Sequence, residues 1–171
     1  RRVLISFGAT DPTRETEKAL LALADVEEVE NIDVVVGIGC EHASEIDRIA
    51  SADPRVRIHR PAASMSALMD SADLALGASG STTWERCALG LPAVVVAVAD
   101  NQVEMAPALA SAGATLYLGK SSEVGSGKIE KTIRGLCRQP QKVRTMGARA
   151  HALIGKGDGA RAVAEILMET R

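Results

Sequence analysis

The sequence predicts an α/β fold: a doubly wound parallel sheet of about six strands on a single domain, residues 1–171, with a helical extension at its carboxyl-terminal end. Three observations predict it. Short apolar runs recur at a steady interval, helix-patterned stretches lie between them, and several of the runs are apolar along their whole length instead of alternating. A strand that is apolar on both faces needs cover on both faces, which is the condition of a parallel sheet between helical layers. Regular alternation of β and α then gives a Rossmann-like winding.

The strand runs, in order, are "VLISF" (Val3 to Phe7), "DVVVGI" (Asp33 to Ile38), "VRIHR" (Val56 to Arg60), "LALGA" (Leu74 to Ala78), "AVVVAVA" (Ala93 to Ala99) and "TLYLG" (Thr115 to Gly119). Helical spacing fills the gaps. In "TRETEKALLALADV" the apolar Ala19, Leu20, Leu23 and Val26 share one face, and "SMSALMDSA" and "NQVEMAPALASAG" behave in the same way. After Gly119 the strand signal stops. "GSGKIEKTIRGLC", "PQKVRTMGARAHALI" and "GDGARAVAEILMET" read as three closing helices, punctuated by Gly125, Gly127, Pro140 and Gly155 to Gly159.

Composition removes several classes of function. Aromatic residues make up only 2% of the chain, too few for base-stacking platforms, and the formal net charge is −2. The cations Arg134, Arg138, Lys142, Arg144, Arg149, Lys156 and Arg161 share their segment with one acid, Asp158, but no groove-reading motif accompanies them. They read as solvated helix faces, and no nucleic acid partner is expected. Cys40, Cys87 and Cys137 are odd in number and far apart, which implies neither a disulfide framework nor a metal cluster and fits a reducing cytoplasm. The longest apolar run, "LPAVVVAV", is far short of the ~20 residues a membrane span needs, and no signal segment is apparent. An opening of Arg1-Arg2 directly before a strand, with no initiator Met, suggests a fragment of a longer protein.

In an open parallel sheet, ligands bind beyond the carboxyl ends of the strands, so the loops "SFGATDP", "HRPAASM", "GASGSTTWE" and "VADNQVE" carry the chemistry. After Ala78 the chain turns sharply through Ser79, Gly80, Ser81 and Thr82 into a helix. Small residues there let a ligand approach the backbone, and outward N–H groups and the helix dipole favour a phosphate or diphosphate; a plain tight turn is the alternative. No Lys-Ser/Thr pair marks a P-loop, and "GIGCEH" lacks the third Gly of a dinucleotide fingerprint, so neither ATP hydrolysis nor NAD binding is expected. Glu85 has two readings. It either closes a capping box with Thr82 or accepts hydrogen bonds from a ribose diol. Gly8 and Thr10 could add a backbone N–H and a hydroxyl, and Asn101 and Gln102 could offer amides to sugar hydroxyls. Asp11, Asp100 and Asn101 also suit helix N-caps. His59 ends a strand and reads as a ligand residue or a satisfied structural one, whereas His42 and His151 read as surface residues. No His, Cys or carboxylate grouping has metal spacing, and no cofactor is expected.

"SFGATDP" and "ADLALGASGSTTWERCALGLPAVVVAVADNQ" resemble the carboxyl-terminal half of the nucleotide-sugar hydrolases of pseudaminic acid synthesis. That family is grouped with spore-coat polysaccharide proteins and related to the glycosyltransferase of lipid II synthesis. The resemblance covers essentially the whole chain and is most specific from Ala72 to Gln102. It implies a GT-B architecture of two Rossmann-like halves, with this chain the UDP-holding half and the amino-terminal catalytic half as its missing partner. It also implies diphosphate contacts from Ser79, Gly80, Ser81 and Thr82, and a ribose contact from Glu85. The base-reading loop falls on His59 to Met65, with uracil near Ala62, and sugar contacts fall on Asn101 and Gln102. Two departures place a Cβ near the phosphates: Gly-Ala-Thr-Asp stands for the usual Gly-Gly-Thr-Asp, and Ala-Ser-Gly for Ala-Gly-Gly.

The reading that follows is a domain binding UDP or a UDP-amino-sugar, the nucleotide half of a hydrolase that releases UDP in surface-glycan synthesis. A glycosyltransferase half and a catalytically silent binding domain are the alternatives. No general base is assigned to the chain.

Overall fold

The computed structural model describes residues 1–60 and 62–154. Its elements are β1 (Arg2–Ser6), α1 (Glu15–Leu23), β2 (Asn31–Val35), α2 (Ala43–Ser51), β3 (Val56–His59), α3 (Met65–Ser71), β4 (Leu74–Ala78), α4 (Thr82–Ala88), β5 (Ala93–Ala97), α5 (Asp100–Ser111), β6 (Thr115–Lys120), α6 (Ser126–Cys137) and α7 (Pro140–Ile154). The strands form one sheet in the order β3-β2-β1-β4-β5-β6, with every neighbouring pair parallel. This is the doubly wound fold expected from the sequence.

Both faces of the sheet are buried, and successive strand residues alternate between them. Val3, Ile5, Leu76, Val94 and Val96 point into a large core with Leu20 and Leu23 of α1, Ile46 of α2, and Ile129 and Ile133 of α6. Leu4, Ala75, Ala93 and Val95 point the other way, onto Met69 of α3 and Ala106 of α5. That division explains why the central β4 and β5 carry no polar side chain. Helix α7 belongs to both sides. Its Val143 and Met146 enter the large core, while Ala150 meets Cys87 of α4.

Strand ends shift by a few residues from the sequence expectation, β5 for instance ending at Ala97 and not Ala99, and two of the shifted boundaries have a local reason. The second strand begins at Asn31 and leaves the sheet before Ile38, which is 92% exposed. Gly37 makes the exit, and a β-carbon there would overlap the backbone of Ala9 in the loop after β1. Helix α1 begins at Glu15, two residues later than its pattern, because Asp11 and Arg14 adopt left-handed φ of 43° and 58°. The N-cap of α1 is therefore Arg14 and not the expected Asp11, although the Asp11 carboxylate still satisfies the helix start from three residues upstream, Oδ1 accepting from the Glu15 N–H and Oδ2 from the Thr16 N–H, each at 2.9 Å. The first two closing helices are α6 and α7, and the third, "GDGARAVAEILMET", lies outside the described residues.

Candidate functional site

The chain winds outward from β1 through β2 to β3, then returns to the other side of β1 and winds outward from β4 through β5 to β6. The loops after β1 and β4 therefore part in opposite directions and leave a crevice between them. Crevices of this kind are where open α/β sheets bind ligands. All the residues singled out from the sequence lie at this carboxyl edge. Gly8 and Thr10 follow β1, His59 ends β3, and Ala62 and Met65 lead into α3. Ser79, Gly80, Ser81 and Thr82 connect β4 to α4, where Glu85 sits, and Asn101 and Gln102 lie in the first turn of α5.

The Ser79–Thr82 turn is held by the sheet on one side and α4 on the other. The Ser79 N–H donates to Val96 O at 3.3 Å, Thr83 N–H to Gly80 O at 3.0 Å and Trp84 N–H to Ser81 O at 3.1 Å. The N–H groups of Gly80, Ser81 and Thr82 have no acceptor among the described residues. Two loops meet here, because the Gln102 Nε2 lies 3.6 Å from the position a β-carbon on Gly80 would take. The Gln102 Oε1 is already engaged, accepting from the Val98 N–H at 3.1 Å, so the amide has only its NH₂ to offer a ligand. Gly8 adopts φ 94° with open space around its α-carbon, a conformation that suits Gly and leaves its peptide exposed beside the crevice.

Several expectations need correction. Glu85 closes no capping box: the N-cap of α4 is Ser81, it is in helical conformation, and no side chain caps it. Glu85 is exposed, and its carboxylate makes no hydrogen bond among the described residues. Helix α4 is only seven residues long, too short for its dipole to matter much, so the turn's free N–H groups are what favour an anion. Neither Asp100 nor Asn101 is the N-cap of α5, which is Ala99. His42 is not a surface residue. Its ring is largely buried, with Nε2 3.6 Å from Asp11 Oδ2.

His59 has a structural partner, its Nε2 lying 2.8 Å from Oδ1 of the buried Asp33. Arg2 flanks the same carboxylate at 3.5 Å. Met65 is half-buried and packs onto the second core layer, and Ser64 caps α3 by accepting from the Ala67 N–H at 3.2 Å. The loop between β3 and α3 is thus tied at both ends, and its half-buried Ala62 lies between the ties.

One residue beside the turn was missed. Arg86 is 2% exposed, and its Nη2 donates to Ala78 O at 2.8 Å and to Thr83 Oγ1 at 2.9 Å. A signal existed, because Thr83, Arg86 and Cys87 are spaced i, i+3, i+4 and all three are buried. Gly77 makes room for it. A β-carbon there would stand 2.9 Å from Arg86 Nη1 and overlap Ser6 O on the neighbouring strand. Among the described residues no three metal-ligating side chains lie together, and no helix is long and apolar enough to cross a membrane.

Comparison with known proteins gives this edge a context. The spore coat polysaccharide biosynthesis protein SpsG of Bacillus subtilis (strain 168) is 29% identical over 121 residues, 70% of this chain and 36% of that protein. The UDP-N-acetylglucosamine–N-acetylmuramyl-(pentapeptide) pyrophosphoryl-undecaprenol N-acetylglucosamine transferase of Mycolicibacterium vanbaalenii is 28% identical over 98% of this chain and 42% of its own length. The chain therefore spans less than half of either curated relative. In fold it is similar to Anabaena HepE, solved in complex with UDP-glucose, with a TM-score of 0.78 at 18% identity over 98% of this chain and 48% of that one. The sheet, its order and its helices are those of one Rossmann-like half of a GT-B fold. Residues 7–166 match the Glycosyltransferase family 28 C-terminal domain, and the chain belongs to that family.

Proposed function

We propose that the chain is the nucleotide-binding half of a UDP-sugar glycosyltransferase, completed by an amino-terminal half of the same polypeptide that brings the acceptor and the catalytic groups. The observation that carries this reading is the turn from Ser79 to Thr82, which presents three unused N–H groups at the switch point with the Gln102 NH₂ beside it. Membership of a glycosyltransferase family supports it. So does the transferase relative, which aligns with nearly the whole chain. The hydrolase expectation has no such support, and the transferase alternative replaces it.

Each candidate residue then has a task. The free N–H groups of Gly80, Ser81 and Thr82 bind the diphosphate, and the exposed Gly8 peptide and Thr10 hydroxyl approach it from the other wall of the crevice. Glu85, free of any cap, accepts the two ribose hydroxyls. The segment from His59 to Met65 receives the uracil, with Ala62 at its centre and Asp33 fixing His59 behind it. Asn101 and the Gln102 NH₂ face the sugar. Developing negative charge on the departing diphosphate is stabilised by donors already in place, which lowers the barrier for transfer at the sugar carbon. The proton is removed from the acceptor by the other half.

Titration calorimetry tests the nucleotide assignment. UDP should bind roughly tenfold or more tighter than UMP, since charge-assisted bonds to the second phosphate contribute about 1.5–3 kcal/mol. Equal affinities would sink it. In the full-length protein, UDP release that requires an acceptor identifies a transferase, whereas release in buffer alone restores the hydrolase.

A further inference from the structure

Arg86 stands out as a buried cation with nothing to balance it. Among the described residues no carboxylate lies within ion-pair distance of its guanidinium; Nε has no hydrogen-bond partner, and all its named bonds come from Nη2. Burial pushes the group down to about 10, outweighing the opposing fields of Cys87 and Glu85. Such a charge costs stability unless something offsets it. A second orphan lies at the start of the turn: Ser79 is fully buried, and its Oγ has no partner among the described residues either.

These groups surround one place. Arg86 bonds to Ala78, the residue before the turn, and to Thr83, the residue after it. Between them lie the unused N–H groups of Gly80, Ser81 and Thr82. Two unpartnered buried groups and three unpartnered amides therefore flank or form a single four-residue turn, and the buried charge beside it is positive. Gly77 allows this by lacking the β-carbon that would collide with Nη1.

We infer that Arg86 is a positioning residue for the diphosphate: it fixes both ends of the Ser79–Thr82 turn and supplies the buried positive charge that a bound diphosphate neutralises. This rests on the nucleotide reading above and adds to it the source of selectivity. Because the charge is buried, water and salt screen it little, and it acts on an anion without touching it. The uridine moiety, which is neutral, does not sense it. Arg86 thus sets the ratio of UDP to uridine affinity, while the segment after β3 and Glu85 on α4 set the affinity for uridine itself.

The test is titration of UDP and of uridine against the chain and against Arg86→Met and Arg86→Lys. Methionine keeps most of the length and volume without the charge, and lysine keeps the charge without the fork. The expected result is a fall of about tenfold or more in UDP affinity for Arg86→Met, with uridine changed by less than about twofold and part of the loss recovered in Arg86→Lys. Equal losses for UDP and uridine would show that Arg86 merely props up the fold. No loss for either would also overturn the inference. If the unaltered chain fails to bind UDP, the nucleotide reading falls and takes this one with it; if it binds UDP and the ratio is untouched in Arg86→Met, only the role of Arg86 falls. Should Arg86→Met not fold, the Arg86 Nε–H resonance of the unaltered chain decides. It should move on addition of UDP or inorganic pyrophosphate and stay in place with uridine, and a resonance unmoved by UDP overturns the proposal.

Discussion

Glu85 shows how a single side chain is decided by what surrounds it. The spacing of Thr82 and Glu85 fits a capping box, yet the helix begins with Ser81 in helical conformation and no side-chain cap forms, leaving the carboxylate exposed and free. With that role removed, Glu85→Gln should leave the melting temperature unchanged. It should lower UDP affinity by about ten- to a hundredfold, the cost of losing charge-assisted bonds to the ribose diol. Calorimetry beside a thermal melt checks both, and unchanged binding would leave the ribose without a ligand. His59, in contrast, is already engaged, because Asp33 sits buried in the middle of β2 and needs a partner. That demand was legible in "NIDVVV", where a lone carboxylate interrupts an apolar run.

The end of α1 carries no cation in its own last turn. Arg55, just before β3, supplies one from 31 residues away, its Nη2 donating to Ala24 O at 2.9 Å and Leu23 O at 3.0 Å. Its Nη1 reaches Val26 O and Val29 O, each at 2.9 Å, and Asp53 holds the fork from behind at 2.6 Å. A lysine cannot satisfy four carbonyls in this layout. Arg55→Lys should cost about 2–3 kcal/mol, at roughly 1 kcal/mol for each bond lost, read from a denaturant midpoint. Acid should expose the same arrangement. The side-chain bond from Arg55 holds Asp53 below the usual carboxylate range. Its stabilisation is complete above the unfolded value of about 3.9 and is lost as pH falls through the lower folded value. Asp53→Asn should therefore be less stable at neutral pH and lose less stability on acidification through that window. A parallel pH dependence in the two proteins would count against the pairing.

Over the whole molecule, α7 joins the two sides of the sheet at the edge opposite the candidate site. It passes the turn before β5 so closely that a β-carbon on Gly147 would lie 2.5 Å from Gly90 O. Helix propensity alone favours Gly147→Ala by about 1 kcal/mol. Overpacking against a backbone carbonyl costs about 1–3 kcal/mol and is harder to relieve, so the variant should be net destabilised. Its urea midpoint should fall while UDP affinity stays the same, because Gly147 faces Gly90 and Pro92 before β5 and not the carboxyl-edge loops. A raised midpoint would mean that α7 does not seat against that turn.

From the sequence alone came the six strands, their parallel arrangement and the loops at their carboxyl ends, since apolar periodicity and turn residues are properties of neighbours along the chain. The strand ends did not follow. They depend on contacts between loops, as where Gly37 passes Ala9. Nor did the balance of charge at the candidate site. The clearance that Gly77 gives Arg86, the two bonds that bracket the turn, and the approach of Gln102 to Gly80 join residues on β4, α4 and α5. Parallel pairing alone puts every such loop at one edge, but only the order β3-β2-β1-β4-β5-β6 sets the loops after β1, β4 and β5 side by side, and strand order depends on contacts between residues far apart along the chain.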